Sequence, residues 1–348
     1  TATASPASVS KKFPLNPKTA PAPLKYDLLA QMRFLSLLAP FLAFAAFAPA
    51  QVKVTQGSDR ILVDINGQPF TALFIGGQTP KPYLHPLRAA SGKIVSRVWP
   101  MEEKEGEAKD HPHHRGLWFS HGDVNGYDFW ANEESQKGVG KGKGKILIKR
   151  VTDLRSGKKD GSLTATFDWT DATGKTLLTE TKTITFHAHP TLRIMDFDLT
   201  LTGVAESKFG DTKEGTFALR LTAPLDGKHS GKMISSTGKM GEKEVWGKAF
   251  PWVDYVGTLE GDTLGVAIFD HPANPKHPTY WHSRDYGLFA ANIFGEHDFF
   301  NDKNRDGSMT LAPGQSWRFR YRVVIHPGDT QAAGIARLYA EWVKRAKK

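Results

Sequence analysis

Cysteine is absent from the 348-residue chain. Without a thiol there is no disulfide, no cysteine nucleophile and no thiolate metal ligand. Stability therefore depends on a hydrophobic core, which a chain of this length is large enough to build.

Long apolar runs are scarce, and the most prominent one lies near the N-terminus. Residues 32–50 read MRFLSLLAPFLAFAAFAPA, with Arg33 ahead of the apolar stretch, Pro40 inside it and small residues at its end. A membrane helix needs about 20 apolar residues, so this run is too short and too interrupted to span a bilayer. Its layout is typical of a secretory signal peptide cleaved near Ala50. We therefore predict a periplasmic or secreted protein without a membrane span.

The apolar run divides the chain into three predicted parts. Residues 1–31 are rich in Ala, Pro, Ser and Lys and have no apolar period. They are predicted to be upstream sequence that does not belong to the native protein, with a genuine disordered extension as the alternative. Residues 32–50 are the predicted signal peptide, and residues 51–348 are predicted to form a single domain.

The sequence also lacks the combination of basic and aromatic residues that is typical of a nucleic-acid-binding surface. The formal net charge is +10, but the longest basic stretch, KGVGKGKGKILIKR at residues 137–150, has no interleaved aromatic residues. Single-stranded nucleic acids are bound by basic and aromatic side chains together. We expect no nucleic-acid partner and interpret this stretch as a solvated hairpin tip.

What the chain has in abundance is a two-residue apolar period. RILVDINGQPFTALF predicts two strands joined at Asn66 and Gly67, a dipeptide that suits a tight hairpin. Only the C-terminal tail has a helical period, behind an Asp329/Thr330 cap. The pattern predicts an all-β fold, a large antiparallel β-sandwich with a C-terminal helix. Among the further predicted strands are residues 215–223, 252–259, 263–269 and 316–325.

One stretch concentrates groups capable of chemistry. DHPHHRGLWFSHGDVNGYDFW, residues 110–130, holds four of the thirteen histidines. If it is extended, alternate residues share a face, so His111, His113 and Arg115 point one way and His114 the other. A histidine that titrates near neutrality suits general acid–base catalysis. The candidates for proton transfer are His113, His121, Asp123 and Glu214.

A second stretch, FDHPANPKHPTYWHSRDYGLF at residues 269–289, adds polar and aromatic groups. Its prolines stiffen a loop, and rigid loops at the rim of a sandwich often carry binding sites. Arginine would hold a carboxylate or an oxyanion, and tryptophan would stack on a sugar face. The candidates for substrate binding are Arg115, Trp118, Trp130, Arg220, His271, Asn274, His277, Trp281, His282, Arg284 and Tyr286.

Two other interpretations of the histidines stay open. No cofactor is firmly implied, but neutral imidazoles of His111, His113 and His121 would suit a divalent metal such as Zn, Cu or Fe. Alternatively, the histidines brace loops through hydrogen bonds and have no chemical role.

Several phrases resemble a known family. KPYLHPL, the histidine-rich stretch, DTKEGTFALRL, GKAFPWVDYVG and DHPANPKHPTYWHSRDYGLFAANIFG are similar to exported bacterial proteins of unknown function that carry the label "PmoA family" or "methane oxygenase PmoA". The resemblance covers residues 52–344. The ending LAPGQSWRFRYRVVIHPG resembles the last strands of galactose-mutarotase-like β-supersandwiches, most of which act on or bind sugars.

These observations together predict a function class. We expect an exported protein that acts on a carbohydrate or sugar acid by histidine and carboxylate proton transfer, as an epimerase or a lyase would. A carbohydrate-binding protein without catalysis and a histidine-ligated metal oxygenase, which the family label implies, are the alternatives. The sequence indicates neither the sugar nor the oligomeric state.

Overall fold

The computed structural model describes residues 51–138 and 140–345. The predicted upstream segment and signal peptide lie outside these residues. Within them, the strands are β1 Val52–Gln56, β2 Arg60–Ile65, β3 Gln68–Phe74, β4 Tyr83–His85, β5 Leu117–His121, β6 Tyr127–Asp128, β7 Gly142–Lys143, β8 Lys145–Arg155, β9 Asp160–Thr170, β10 Thr176–His187, β11 Arg193–Gly203, β12 Ser207–Phe209, β13 Gly215–Arg220, β14 Lys232–Ser235, β15 Trp252–Leu259, β16 Asp262–Asp270, β17 Tyr280–Ser283, β18 Leu288–Asn292, β19 Met309–Leu311 and β20 Ser316–Pro327.

Helices are few and short. They are α1 Glu242–Val245, α2 Glu296–Phe299 and α3 Ile335–Arg345, with one 3₁₀ turn at Ala223–Leu225. No helix in the described part of the chain is long and apolar enough to cross a membrane.

Two eight-stranded sheets form the framework. The first has the order β1-β2-β3-β4-β5-β13-β18-β17, and the second has the order β14-β15-β16-β20-β11-β10-β9-β8. Neighbouring strands within both sheets are antiparallel. The main hydrophobic core draws on the inward faces of both sheets, for example Phe119 of the first against Phe319 of the second. The predicted all-β sandwich is confirmed.

The hairpin and the C-terminal helix are present, although the helix begins later than its cap signal. Asn66 and Gly67 both have positive φ, as the tight turn between β2 and β3 requires. Asp329 Oδ1 accepts the N–H of Ala332, which closes a turn and not the helix. Gly334 has φ +66°, a left-handed conformation that interrupts the chain just before α3 begins.

The outward face of the first sheet carries a row of paired residues that crosses five strands. Tyr83 pairs with Trp118, Trp118 with Ala218, Ala218 with Ala290, and Ala290 with His282. All five side chains are buried although they face away from the main core. Trp130, Met101 and Tyr286, which lie outside the strands, pack against this row and cover it. The candidate site lies on this face.

Candidate functional site

The histidine-rich loop, residues 110–116, is a turn and not an extended segment. His111 has φ +45°, and the N–H of His114 donates to the carbonyl of His111 over 3.0 Å. The predicted alternation of faces was therefore wrong for this loop. His111, His113 and His114 come together, with ring centroids 4.3–5.7 Å apart. Gly116 ends the turn with positive φ, where a Cβ would collide with the carbonyl of Leu84.

Arg97 fixes the backbone conformation of this loop. Its guanidinium donates to the backbone carbonyls of Ala108, Asp110, His111 and His114 over 2.8–3.1 Å. Its side chain is 2% exposed. Because these bonds hold four carbonyls of the loop in place, Arg97 acts as a template for the turn.

Asp110 is the electrostatic centre of the site. Its Oδ1 accepts from Arg97 over 2.7 Å and from Arg220 over 2.9 Å, and its Oδ2 lies 3.0 Å from His111 Nδ1. Burial disfavours the charged carboxylate, but the hydrogen bond from His111 and the charges of Arg220 and Arg97 outweigh burial. They hold the pKa of Asp110 well below its usual range. The carboxylate is therefore ionised across the physiological pH range.

Aromatic rings are stacked around His111. The His111 ring is parallel to that of His114 at 4.7 Å and to that of Tyr286 at 5.2 Å. His114 in turn stacks on Trp118 at 5.2 Å, and Trp118 contacts Trp130 at 5.0 Å. We refer to His111, His113, His114, Trp118, Trp130 and Tyr286, with Arg97, Asp110, Gln136 and Arg220, as the histidine–arginine cluster.

Exposure separates the members of the cluster. Trp118 and Trp130 are 1% exposed, so neither presents a free ring face to a ligand as the sequence analysis expected. The side chain of His111 is 41% exposed, and Tyr286 is half-buried. His111 and Tyr286 are therefore the rings that a ligand reaches first, while the two tryptophans form the floor beneath them.

The buried histidines near the site are held neutral. Burial lowers the pKa of His113 to about 2 and that of His282 to about 3, and it lowers the pKa of His114 well below its usual value. Arg220 donates to His114 Nδ1 over 3.1 Å. Because arginine only donates, His114 Nδ1 accepts and the ring proton lies on Nε2.

Arg115 is paired inside the protein. Its guanidinium binds both carboxylate oxygens of Glu133, over 2.9 and 3.0 Å. Beside this pair, the buried Lys81 ammonium donates to Trp130 O and Asn132 Oδ1, each over 2.8 Å. These contacts support Trp130 from beneath. Arg115 is thus engaged by a carboxylate and does not present a free charge for a substrate.

Three other sequence candidates, Arg284, His282 and Glu214, lie around the cluster near its member Arg220. Arg220 binds Asp110 and lies with its guanidinium 4.7 Å from the Tyr286 ring, and Arg284 lies 5.6 Å from the same ring. His282 Nδ1 donates to the carbonyl of Lys213 over 2.8 Å. Glu214 is half-buried beside this region; burial raises the pKa of its carboxyl, while the charges of Lys213 and His111 lower it.

His121 and Asp123 lie away from the cluster. Along β5, Trp118 faces outward, so His121 has the opposite parity and faces the core, where it packs on Phe209 and Phe294. Its Nε2 lies 2.8 Å from the carbonyl of Gly210, and burial lowers its pKa to about 4. Asp123 accepts the N–H of Gly126 over 2.7 Å and stabilises a turn.

The second stretch, residues 269–289, also contains some residues that lie near the cluster and some that do not. His277 and Asn274 bind the buried carboxylate of Asp270, each over 2.7 Å, and His271 packs on Trp342 of α3. Trp281 is fully buried on the core face of β17. These four candidates, His271, Asn274, His277 and Trp281, stabilise a corner of the fold. His282, Arg284 and Tyr286 of the same stretch are the ones that reach the site.

The proposed metal set is not assembled. His111 and His113 are neighbours, but His121 is on the other face of the sheet. Among residues 51–138 and 140–345, no group of three or more His, Asp or Glu side chains is arranged to hold a metal ion.

Five residues in or beside the site were not predicted from the sequence: Arg97, Asp110, Lys81, Glu133 and Gln136. Gln136 contacts His113 Nδ1 over 2.7 Å. Asp110 was detectable in principle because it directly precedes His111 in the quoted stretch. Lys81, Arg97, Glu133 and Gln136 lie outside that stretch and carry no motif of their own. Only the fold brings them to the site.

A family model of unknown function, DUF6807, matches residues 60–340. The chain belongs to this family. A search of curated proteins finds no match. The resemblance to the PmoA-labelled family stays a prediction.

Solved structures with a similar fold include three from lactobacilli. An α-galactosidase from Lactobacillus brevis is 10% identical with a TM-score of 0.38, over 79% of this chain and 39% of that chain. A galactose 1-epimerase from Lactobacillus acidophilus NCFM is 9% identical with a TM-score of 0.37, over 81% and 100%. A galactose mutarotase-like protein from Lactobacillus casei is 9% identical with a TM-score of 0.37, over 79% and 100%. The chain thus spans less than half of the α-galactosidase, and its site has to be interpreted from its own residues.

Proposed function

We propose that the histidine–arginine cluster binds a carbohydrate and transfers a proton to or from it through His111. The observation that carries this proposal is the 3.0 Å contact between His111 Nδ1 and Asp110 Oδ2. A carboxylate 3.0 Å from Nδ1 favours the tautomer with the proton on Nδ1, which leaves Nε2 as the basic atom. Asp110 also stabilises the imidazolium that forms when Nε2 takes up a proton.

Among the histidines of the cluster, His111 fits this task because it is the exposed one. His113 and His114 have lowered pKa values because they are buried. A base with such a low pKa takes up a proton poorly at neutral pH. This assignment replaces His113 and His121, which the sequence analysis favoured as catalytic residues.

Glu214 supplies the complementary acid in this proposal. Its pKa is raised by burial, which keeps the carboxyl protonated to higher pH than an exposed glutamate. A base and an acid with different surroundings are what epimerisation or elimination at a sugar carbon requires. Tyr286, stacked beside His111, provides an aromatic surface for the sugar.

Proton exchange tests this proposal without knowledge of the product. The protein is incubated in D₂O with a panel of neutral sugars and uronic acids, and deuterium incorporation at carbon is followed by NMR. We expect enzyme-dependent exchange for at least one sugar and its loss in His111→Gln. Binding without exchange or turnover would contradict catalysis and favour a carbohydrate-binding protein.

Export forms a separate part of the proposal and depends on the N-terminal pattern alone. A small-residue ending after an apolar run supports cleavage after Ala50. Mass spectrometry of protein from the periplasm or medium should give Gln51 as the first residue. A mature chain that retains residues 34–47 would contradict export by this route.

A further inference from the structure

Two arginines in the cluster share one carboxylate. Among the described residues, Asp110 is the only carboxylate within 4.0 Å of either Arg97 or Arg220. Glu107 and Asp226 act on the two guanidiniums only at longer range. Two positive charges on one negative charge leave a local surplus, and a buried surplus charge is costly unless another group balances it.

The unpartnered polar atoms of the cluster point to the same chemistry. Within the described residues, five buried N–H groups of the cluster have no acceptor, against one acceptor, the amide oxygen of Gln136, that has no donor. Buried donors without acceptors are rare in folded proteins, and each one is destabilising. The five are Arg97 Nε, His114 Nε2, Trp118 Nε1, Trp130 Nε1 and Arg220 Nε.

Arg220 is buried, with its side chain 2% exposed, but it lies directly beneath the exposed part of the cluster. It packs against Tyr286, whose ring also stacks on the exposed His111. Arg284 approaches Tyr286 as well, but Glu242 already faces it over 2.9 Å. The surplus charge therefore lies beside Tyr286, the ring that stacks on His111.

We propose that the substrate is a sugar acid whose carboxylate binds at Arg220 beside His111. This inference rests on the proposed function and specifies its substrate class. A carboxylate supplies one negative charge and only acceptor atoms, which matches both the surplus charge and the excess of donors. A carboxylate next to the reacting carbon also makes its hydrogen more acidic, which suits proton transfer.

The decisive comparison is between an acid and its neutral ester on the wild-type protein. Binding of D-glucuronate and D-galacturonate is measured by calorimetry against the corresponding methyl esters. Because hydrogen bonds to charged groups are strong, we expect the acid to bind about 10-fold more tightly than its ester for at least one sugar. Equal binding of acid and ester, or no binding of either acid, would overturn the proposal.

Variants then locate the carboxylate. Arg220→Gln should reduce the acid-to-ester ratio to about one while the ester still binds. Arg318→Gln is the matched control, because Arg318 pairs with Asp198 on the second sheet, away from the cluster. An Arg220→Gln protein that folds and keeps the full ratio would contradict this placement. If that variant does not fold, the comparison of acid and ester on the wild-type protein still tests the proposal. Added salt should then weaken the preference for the acid.

Two further measurements, binding of sugar phosphates and proton exchange, distinguish the possible outcomes. Tighter binding of glucose 6-phosphate or galactose 6-phosphate than of either uronate would replace the carboxylate by a phosphate and overturn the proposal as stated. Failure of this inference differs from failure of the proposed function: proton exchange on a neutral sugar that depends on His111 would preserve the function without the carboxylate. An acid preference without any exchange would preserve the carboxylate without catalysis.

Discussion

Asp110 Oδ2 lies 3.0 Å from His111 Nδ1, while Oδ1 of the same carboxylate binds Arg97 and Arg220. One carboxylate thus orients an exposed imidazole and at the same time ties it to two buried guanidiniums. The arrangement depends on a turn in which His111 adopts a positive φ. Such a conformation costs free energy in a non-glycine residue and is often found at functional sites.

Removal of Arg97 should unfold this arrangement. Arg97→Ala removes a donor from four backbone carbonyls and from Asp110, and each buried acceptor that is left without a donor costs about 1–3 kcal/mol. Denaturant unfolding measures the loss. Arg155→Ala is the control, because Arg155 forms an exposed pair with Asp160, and such pairs contribute about 1 kcal/mol or less. Equal losses in the two variants would contradict the role given to Arg97.

The fold could be predicted from the sequence to a greater extent than the site. The two-residue period predicted the all-β sandwich, and β15 has the predicted bounds, Trp252–Leu259. The predicted alternation of faces does not hold in the histidine-rich loop, because Arg97 binds the backbone carbonyls of that loop and holds it in a turn. Arg97 lies 13 residues before Asp110 and has no motif of its own, so nothing in the sequence signalled that contact.

Parity also separates the site candidates that lie in the cluster from those that face the core. Trp118 and His121 belong to one strand, and their odd spacing places them on opposite faces of the sheet. The same rule places His282 outward and Trp281 in the core. Which of the two faces is the core depends on the pairing of distant strands, and composition alone does not determine it.

Acid should destabilise the protein through its buried histidines. Burial lowers the pKa of His85 and His121 to about 4, of His282 to about 3 and of His113 to about 2, and it lowers the pKa of His114 well below its usual value. Below pH 6.5 these five histidines therefore bind more protons in the unfolded chain than in the folded chain. Stability falls as pH decreases towards 4, by up to about 1.4 kcal/mol per pH unit for each such histidine.

One histidine isolates this effect. Both ring nitrogens of His85 are buried without a partner among the described residues. His85→Leu should therefore reduce the dependence of unfolding free energy on pH between 6.5 and 4. His229→Gln, a change at an exposed histidine, serves as the control. An unchanged pH dependence in His85→Leu would contradict neutral burial of this residue.

Chelation should leave the melting temperature unchanged. A metal that binds only the folded state raises stability by mass action, so its removal would lower the melting temperature. The proposed ligand His121 faces the core, while His111 and His113 lie in the cluster. Thermal unfolding with and without EDTA, together with metal analysis, checks this expectation. A lower melting temperature after chelation, restored by one added metal, would revive the metal-enzyme interpretation.

The most direct test of the account compares His111→Gln with His121→Gln, once a turnover or exchange assay exists. A general base acts in the transition state, and its removal costs about 10²–10⁴-fold in rate while ligand affinity changes little. We predict that His111→Gln loses turnover by this factor and still binds the ligand in calorimetry, whereas His121→Gln, if it folds, turns over at close to the wild-type rate. Normal turnover in His111→Gln would contradict the central claim.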